Sequence, residues 1–503
     1  MKNSFVKSSF WVTVVLVIGY ILSFVKEASI ANYYGVSFVV DAYTIAIQVP
    51  VTIFSFVACA LRAVVIPLYS DLYYKSSLRD ANNFANNLTT LAFLVSILFV
   101  IVGEIGSDLI ITLFAPGFNE ETHQLARYLL MITLPTMVFS VAIDVLNGIL
   151  NVHKKFVLPS LAVYFLNLSI IFFIVILHNE FGIAAACIGQ VVGSFLQMLY
   201  LYLLLRKTYR FKLYLDINDI TLKKAIRMSG PTIWSISIAE INAIVNRIVA
   251  SFLFVGSISA LGYASKINSI FMTFFVSAIS VIVYPLYAES TAKNDYKQLA
   301  RRVNFTLSLY SALLIPLMCV IFCFRREIVT IAFARGAFGE DAIVLTKELL
   351  GCYTVSILFL ALRETVSKVF LSMKDTATIA KNATWGVILN IILNLTLPYI
   401  WGVYGLAIAT SISAIFISVR LVYLLNKKEN LHLSDYYYNL WRIIGASLIM
   451  TFVTGGLYMA HINDNPYIVF IVGGFISFGI YIAALLFFRA PITQDVINLI
   501  KSR

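Results

Sequence analysis

Charged residues are scarce in this sequence. Asp, Glu, Lys and Arg together occupy 12% of the 503 positions, whereas apolar residues occupy 60%. A soluble domain of this length has no interior large enough to bury so much apolar surface. The composition therefore excludes an ordinary soluble protein and indicates a chain whose solvent is a lipid bilayer.

Residues typical of catalytic and metal sites are also few. The five histidines have no paired spacing and no HExxH motif, and no Walker A loop is present. The five cysteines lie within or beside apolar runs, where the prediction is small core residues. We expect a transporter and not an enzyme, with no catalytic residue, no metal and no cofactor. Any energy would come from the membrane potential or an ion gradient.

Long apolar runs fill most of the chain. About fourteen of them reach the roughly 20 residues that a spanning helix needs, and the period-two pattern of barrel strands is not visible. The fold class predicted is an all-α polytopic membrane protein with about fourteen transmembrane helices.

The placement of Lys and Arg predicts the orientation in the membrane. These residues cluster in alternate connections, such as Lys154 and Lys155 after the fourth run, and the ninth connection is the exception. By the positive-inside rule, both termini of this multi-pass protein are cytoplasmic. The net charge of +12 is then mostly a topology signal, and no nucleic acid partner is expected.

The chain contains two similar halves. The segment 113–118 (LFAPGF) returns as 332–338 (AFARGAF), 66–69 returns as 284–287, and 182–186 returns as 405–409. We predict an N-lobe of six spans at 1–214, a C-lobe of six spans at 215–429, and two further helices with a cytoplasmic tail at 430–503. An even number of spans per copy makes the repeat parallel, with a pseudo-two-fold axis along the membrane normal.

Several ionisable residues lie inside the apolar runs, where a charge costs roughly 2.5 to 3.5 kcal/mol on insertion scales. We predict that four cations hold an anionic, diphosphate-like group in a wet cavity between the lobes: Lys26, Arg247, Lys266 and Arg62. Three acids are predicted as charge partners or gate residues: Asp41, Glu27 and Glu240.

Particular pairings follow from spacing. Lys26 and Asp41 flank a short loop and could pair across it, and Glu240 and Arg247 share one helix face. The alternative for single residues is structural, because Lys26 and Arg62 lie near span ends and could snorkel, and Glu240 with Arg247 could be a helix-holding pair.

A series of motifs in fixed order carries a family resemblance. They include 129–135 (LLMITLP), 148–151 (GILN), 246–247 (NR), 256–261 (GSISAL), 335–338 (RGAF) and 374–376 (KDT). In this series the sequence resembles the MurJ (MviN) family of lipid II flippases, within the multidrug/oligosaccharidyl-lipid/polysaccharide (MOP) exporter superfamily.

The resemblance implies a multi-pass protein of the bacterial cytoplasmic (inner) membrane. It also implies alternating access by two six-helix lobes, with a groove for the polyprenyl tail formed by the two C-terminal helices. It implies that Lys26, Arg247 and Lys266 hold the diphosphate, and that Asp41 lies at the outer gate. The sequence departs from the family at Tyr20, at 52–56 (where a basic pair is usual) and at Ser265. These departures leave the identity of the lipid-linked sugar open.

The substrate expected is a polyprenyl-diphosphate-linked saccharide, in the first place the peptidoglycan precursor lipid II. The alternatives are another lipid-linked glycan (capsule, O-unit or teichoic type), a cation-coupled drug exporter and a membrane-embedded glycosyltransferase. A drug exporter would favour acids in the cavity, and a glycosyltransferase would need a carboxylate cluster and a large outer loop. Membrane lipids are the other partners expected, and the chain is predicted to be a monomer.

Overall fold

The computed structural model describes residues 2–429, 433–459 and 465–494. Its twenty elements are all α-helices, and no strand occurs within those ranges. Residues 495–503 of the predicted cytoplasmic tail lie outside them.

The chain forms two compact units, Met1–Ser259 and Ala260–Arg503. The first unit holds ten helices: α1 (Lys2–Tyr34), α2 (Phe38–Lys75), α3 (Leu78–Ile105), α4 (Ser107–Phe114), α5 (Glu120–Thr133), α6 (Thr136–Val152), α7 (Val157–Ser160), α8 (Ala162–Phe181), α9 (Ala184–Leu205) and α10 (Ile220–Ser251). At its centre α2 packs against α5, α6 and α10. The predicted boundaries at 214 and 429 stay predictions, because a packing unit and a duplicated segment are different divisions of a chain.

The second unit holds the remaining helices, of which the first begins at the boundary: α11 (Ser257–Ala292), α12 (Tyr296–Cys323), α13 (Arg325–Phe333), α14 (Glu340–Thr354), α15 (Ser356–Ser372), α16 (Thr376–Thr396), α17 (Pro398–Trp401), α18 (Val403–Glu429), α19 (Ser434–Met459) and α20 (Pro466–Phe487). Here α18 packs against α15 and α16, and α19 packs against α12 and α20.

Ten of the described helices are long and apolar enough to cross a membrane. The pair α5 and α6, bent by 43° at Leu134 and Pro135, would make an eleventh span. The helices α10, α11 and α19 fall outside that count but are 32, 36 and 26 residues long. The helical membrane fold is confirmed, and the predicted number of about fourteen spans agrees roughly with it.

Side-chain caps explain where many helices begin. Asp219, Asp295 and Asp375 each accept a hydrogen bond from a backbone N–H in the first turn of the helix that follows. Ser77 and Asn119 do the same for α3 and α5. Such caps satisfy N–H groups that a helix end otherwise leaves without partners.

The duplication is visible in the backbone. Helix α6 starts at Thr136 and α15 starts at Ser356, 220 positions later. Lys154 and Lys374, also 220 positions apart, follow these helices with φ of +58° and +61°. Gly182 and Gly402 share φ of +55° and +54°. The backbone therefore pairs Gly182 with Gly402, whereas the sequence comparison paired it with Gly405, three residues later. Apolar residues flank both glycines, so the sequence alone does not distinguish the two alignments.

Candidate functional site

Arg247 of α10 is the predicted site cation whose partners are best defined. Its guanidinium Nη1 donates a hydrogen bond of 2.8 Å to Thr52 Oγ1, and its Nη2 donates to Gln48 Oε1. Gln48 and Thr52 lie one turn apart on α2, the helix against which α10 packs. Two neutral acceptors therefore hold the Arg247 guanidinium in place without cancelling its positive charge.

Among the described residues, no direct ion pair joins Arg247 to Glu240, and the role of Glu240 as a charge partner stays a prediction. Glu240 and Arg247 share a face of α10, but seven residues of helix separate them by about 10 Å along the axis. The Glu240 carboxylate therefore acts on the guanidinium only at longer range.

Asp41, in the first turn of α2, binds backbone and not a cation. Gly256 N donates 2.6 Å to its Oδ2, and Ser259 N donates 2.7 Å to its Oδ1. The carboxylate is 3% exposed and lies at the start of α11, where free N–H groups favour a negative charge. Gly256 is needed there, because its φ is +94° and a Cβ would lie 2.7 Å from Val36 Cγ1.

Lys26 of α1 forms an ion pair with its neighbour Glu27, with Nζ 3.0 Å from Oε1. Both side chains are mostly buried, with exposed fractions of 13% and 25%. The predicted pair between Lys26 and Asp41 is not among the ion pairs of the described residues, because Asp41 is bound to the backbone amides. The structure thus brings Lys26 together with Glu27.

Arg62 lies on the later half of α2 and is exposed. Its charge acts on Asp144 of the neighbouring helix α6, a half-buried carboxyl within a span. Asp144 lies inside an apolar run of the sequence, but its distance from Arg62 along the chain does not predict that the two charges act on each other.

Lys266 belongs to the second unit, in the third turn of α11, where it is half-buried. Two residues later, Asn268 Nδ2 donates 3.3 Å to Ser356 Oγ at the start of α15. That Lys266 shares one chamber with Lys26, Arg247 and Arg62 stays a prediction.

Among the described residues, no group of three or more His, Cys, Asp or Glu side chains could hold a metal ion. None of the five cysteines forms a disulfide bond.

Comparison with known proteins identifies the family. The family model described as "Lipid II flippase MurJ" matches residues 30–475. The chain belongs to the lipid II flippase MurJ family. It is a multi-pass membrane protein and a transporter, as the motif series predicted, and not an enzyme.

Individual relatives agree with this assignment. The lipid II flippase MurJ of Thermosipho africanus is 29% identical over 448 residues, which are 89% of each chain. A probable lipid II flippase MurJ of Buchnera aphidicola subsp. Baizongia pistaciae is 27% identical over 470 residues, 91% of this chain and 90% of that protein.

Solved structures of MurJ and of a related transporter also resemble this chain. A lipid II flippase MurJ in an inward closed conformation has a TM-score of 0.83 and 28% identity, covering 96% of this chain and 99% of that one. A multidrug resistance MATE transporter of the MOP superfamily has a TM-score of 0.71 at 12% identity, covering 83% of this chain and 95% of that one. The second likeness shows the fold alone, so it does not favour the drug-exporter alternative.

Two residues of the site were missed from the sequence. Gln48 and Thr52 are uncharged and looked unremarkable inside an apolar run. For Thr52 the sequence held an indirect signal, because 52–56 is the segment where the family's basic pair is absent. In the structure, Thr52 in that segment contacts a cation from another helix and does not supply one itself.

Proposed function

We propose that this chain carries lipid II from the inner to the outer leaflet of the cytoplasmic membrane by alternating access. The observation that carries the proposal is the family match over residues 30–475. Arg247 supports it, because a guanidinium inside a span with neutral partners keeps its positive charge for an anion.

Arg247 is suited to a diphosphate by its remaining donors. A guanidinium has five N–H groups in a planar fork, and Gln48 and Thr52 use only part of them. The others remain for phosphate oxygens, which Arg binds in a bidentate manner. Because α2 already fixes the fork, little side-chain freedom is lost when the substrate binds.

Lys26 contributes a charge that is balanced until substrate arrives. Its ion pair with Glu27 lowers the cost of keeping an ammonium group at membrane depth. The diphosphate carries more negative charge than one carboxylate and competes with Glu27 for Lys26. Lys266, with Arg62, completes the proposed set of cations.

Asp41 acts in this proposal as a gate residue through the backbone. Its bonds to Gly256 N and Ser259 N tie the start of α2 to the start of α11. Charge-assisted bonds of this kind contribute about 1.5 to 3 kcal/mol each, so their rupture is a substantial barrier to opening.

The remaining features of the proposal concern orientation, energy and assembly. The connections rich in Lys and Arg face the cytoplasm, and so do both termini. The membrane potential or an ion gradient supplies the energy. The chain acts as a monomer, its partners are lipid-linked substrate and membrane lipids, and it binds no nucleic acid.

The test combines complementation with a flipping assay. The gene should restore growth to a bacterium depleted of its own lipid II flippase, and purified protein should move fluorescent lipid II across liposome membranes. Lys26→Ala and Lys266→Ala should each reduce flipping. Lys297→Ala, which removes an exposed cation of α12, is the matched control and should leave flipping unchanged.

Two results would contradict parts of the proposal. Normal flipping by both lysine variants would end the role of the cations. If the protein neither complements nor moves lipid II but transports a different lipid-linked glycan, the family assignment stands and lipid II is not the substrate.

A further inference from the structure

The segment 208–216, here called the strap, lies between α9 and α10 and is hydrogen-bonded to side chains of α3. Asn82 Nδ2 donates 2.9 Å to Thr208 O, and Lys212 N donates 3.2 Å to Asn86 Oδ1. Asn87 exchanges two bonds of 2.9 Å with the backbone of Asp216. The strap is therefore fixed to the protein by its backbone.

An apolar cavity of about 290 Å³ lies beneath the strap. Helix α6 packs against both α3 and α9 and supplies Ala142, Val145 and Leu146, which are buried, to the cavity wall. From the strap, Tyr209 and Phe211 line it as well. Its volume is about twice that of an engineered 150 Å³ cavity that stays dry and binds benzene, so hydrocarbon and not water is the expected content.

The cavity wall continues onto an exposed apolar surface. Leu199 of α9 lines it and is 37% exposed, and Phe93 of α3 lines it beside the exposed Leu94. Both helices are long and apolar enough to span a membrane, so exposed apolar side chains on them are suited to contact with lipid tails. An acyl chain from the surrounding leaflet can therefore enter between α3 and α9.

Four exposed cations lie on or beside the strap: Arg206, Lys207, Arg210 and Lys212. Among the described residues, none of the four side chains takes part in an ion pair with an acid. The same segment exposes Leu213 and Leu215. Cations next to exposed apolar side chains are typical of a surface that binds anionic lipid headgroups.

We propose that this site holds one anionic phospholipid, with an acyl chain in the cavity and its headgroup phosphate on the strap cations. The proposal joins two independent observations, an apolar cavity at the lipid-facing surface and a positive strap that closes over it. The site is separate from Arg247 and its partners on α2, and its ligand is a membrane lipid and not the transported substrate.

The first experiment measures phospholipid retention. Purified full-length protein is exchanged into vesicles of phosphatidylglycerol or phosphatidylcholine, extracted in mild detergent and analysed by native mass spectrometry. Wild type should retain phosphatidylglycerol in preference to phosphatidylcholine. Ala142→Phe, which fills the cavity, should reduce retention of both lipids by about tenfold. The double variant R210Q/K212Q should remove the preference between them.

The matched control is K297Q/R301Q, which removes two exposed cations from α12 and should keep the wild-type preference. Retention of phosphatidylglycerol that is equal in wild type, Ala142→Phe and R210Q/K212Q would overturn the proposal. Equal retention of the two lipids by wild type would overturn the assignment of an anionic headgroup.

A second measurement does not depend on the folding of a cavity-filling variant. Tyr209→Trp places a fluorophore in the cavity wall, where the native side chain is 2% exposed. Phosphatidylglycerol with brominated acyl chains should quench its added emission. The control Tyr310→Trp, at a buried tyrosine of α12 in the second unit, should be quenched far less. Equal quenching at both positions would show that no chain enters the cavity.

Discussion

At the scale of single residues, the most informative contact is that of Arg247 with two uncharged side chains. A charge buried without partners is costly, and an acid partner would reduce that cost but also neutralise the cation. Gln48 and Thr52 satisfy hydrogen bonds and leave the charge in place. In the proposed mechanism, the diphosphate therefore meets a positive group that is already oriented.

Thr52→Val tests this arrangement. The substitution keeps the shape of the side chain and removes the acceptor of Arg247 Nη1. A hydrogen bond to a charged group contributes about 1.5 to 3 kcal/mol, so we expect lipid II flipping in liposomes to fall by about tenfold or more.

The control for Thr52→Val is Thr365→Val, at a buried threonine whose hydroxyl donates only to Ala361 O of its own helix. A wild-type flipping rate in Thr52→Val would show that the orientation of Arg247 does not matter.

A second prediction at this scale concerns the cap of α16. The bond from Lys428, and then that from Thr378 N, lower the pKa of Asp375 from 3.8 to about 2. A carboxylate with a lowered pKa stabilises the folded state above its unfolded pKa and loses this effect as pH falls towards 2. Asp375→Ala should reduce the free energy of unfolding by about 1 kcal/mol at pH 7, and by less at pH 3.

The control for the lysine is a double-mutant cycle measured by chemical denaturation. Lys428→Gln should reduce the effect of Asp375→Ala. It should not change the effect of Asp295→Ala, a cap with nearly the same backbone angles at the start of α12. Additive effects of Lys428→Gln and Asp375→Ala would show that the ion pair does not stabilise the cap.

At the scale of elements, the strap is a connection whose conformation is decided by a helix. Residues 208–216 form no helix or strand, so their backbone groups need partners from elsewhere. The polar side chains of α3 provide them, with Asn86 and Asn87 almost fully buried. The charged composition of this segment gives no sign in the sequence that it is held in place.

Asn87→Leu should release the strap. The substitution leaves both the N–H and the C=O of Asp216 without their partner, at a cost of about 1 to 3 kcal/mol for each buried group. Limited trypsin digestion should then cut at Arg210 and Lys212 sooner than in wild type. Asn83→Leu, at an exposed asparagine of the same helix, should digest like wild type. Unchanged cleavage in Asn87→Leu would mean that other contacts hold the strap.

At the scale of the whole molecule, the ninth connection was the exception to the charge asymmetry, because it carries Arg325, Arg326 and Arg335. The structure supplies acids for two of them. Arg326 Nη2 lies 2.7 Å from Glu340 Oε1, and Arg325 Nη2 lies 3.3 Å from Glu348 Oε1. Arg335, which follows α13, donates to the Ile331 carbonyl in the last turn of that helix. The positive-inside rule counts Lys and Arg and is not a net-charge rule, so these ion pairs do not remove the exception, and the orientation needs a direct test.

Cysteine labelling in intact cells tests the orientation. A membrane-impermeant maleimide should label Arg335→Cys from outside, and should label Lys212→Cys only after the cells are permeabilised. Wild type is the control for background, because its five cysteines are buried or half-buried. Labelling of Lys212→Cys in intact cells would reverse the proposed topology.

The sequence by itself determined the fold class, the duplicated plan and the family. Hydrophobic length and the order of motifs are properties of the chain, and a bilayer accepts few alternatives to long helices. It also placed Arg247 and Asp41 in spans, because a charge among apolar residues is visible without coordinates.

Only the tertiary structure decided what these charges contact. Arg247 binds Gln48 and Thr52 and not Glu240, and Asp41 binds the amides of Gly256 and Ser259 and not Lys26. Spacing along one helix fixes which residues share a face, but partners on another helix depend on how the helices pack. Neutral side chains and backbone amides carry no charge pattern in the sequence, so their roles emerged only from the fold.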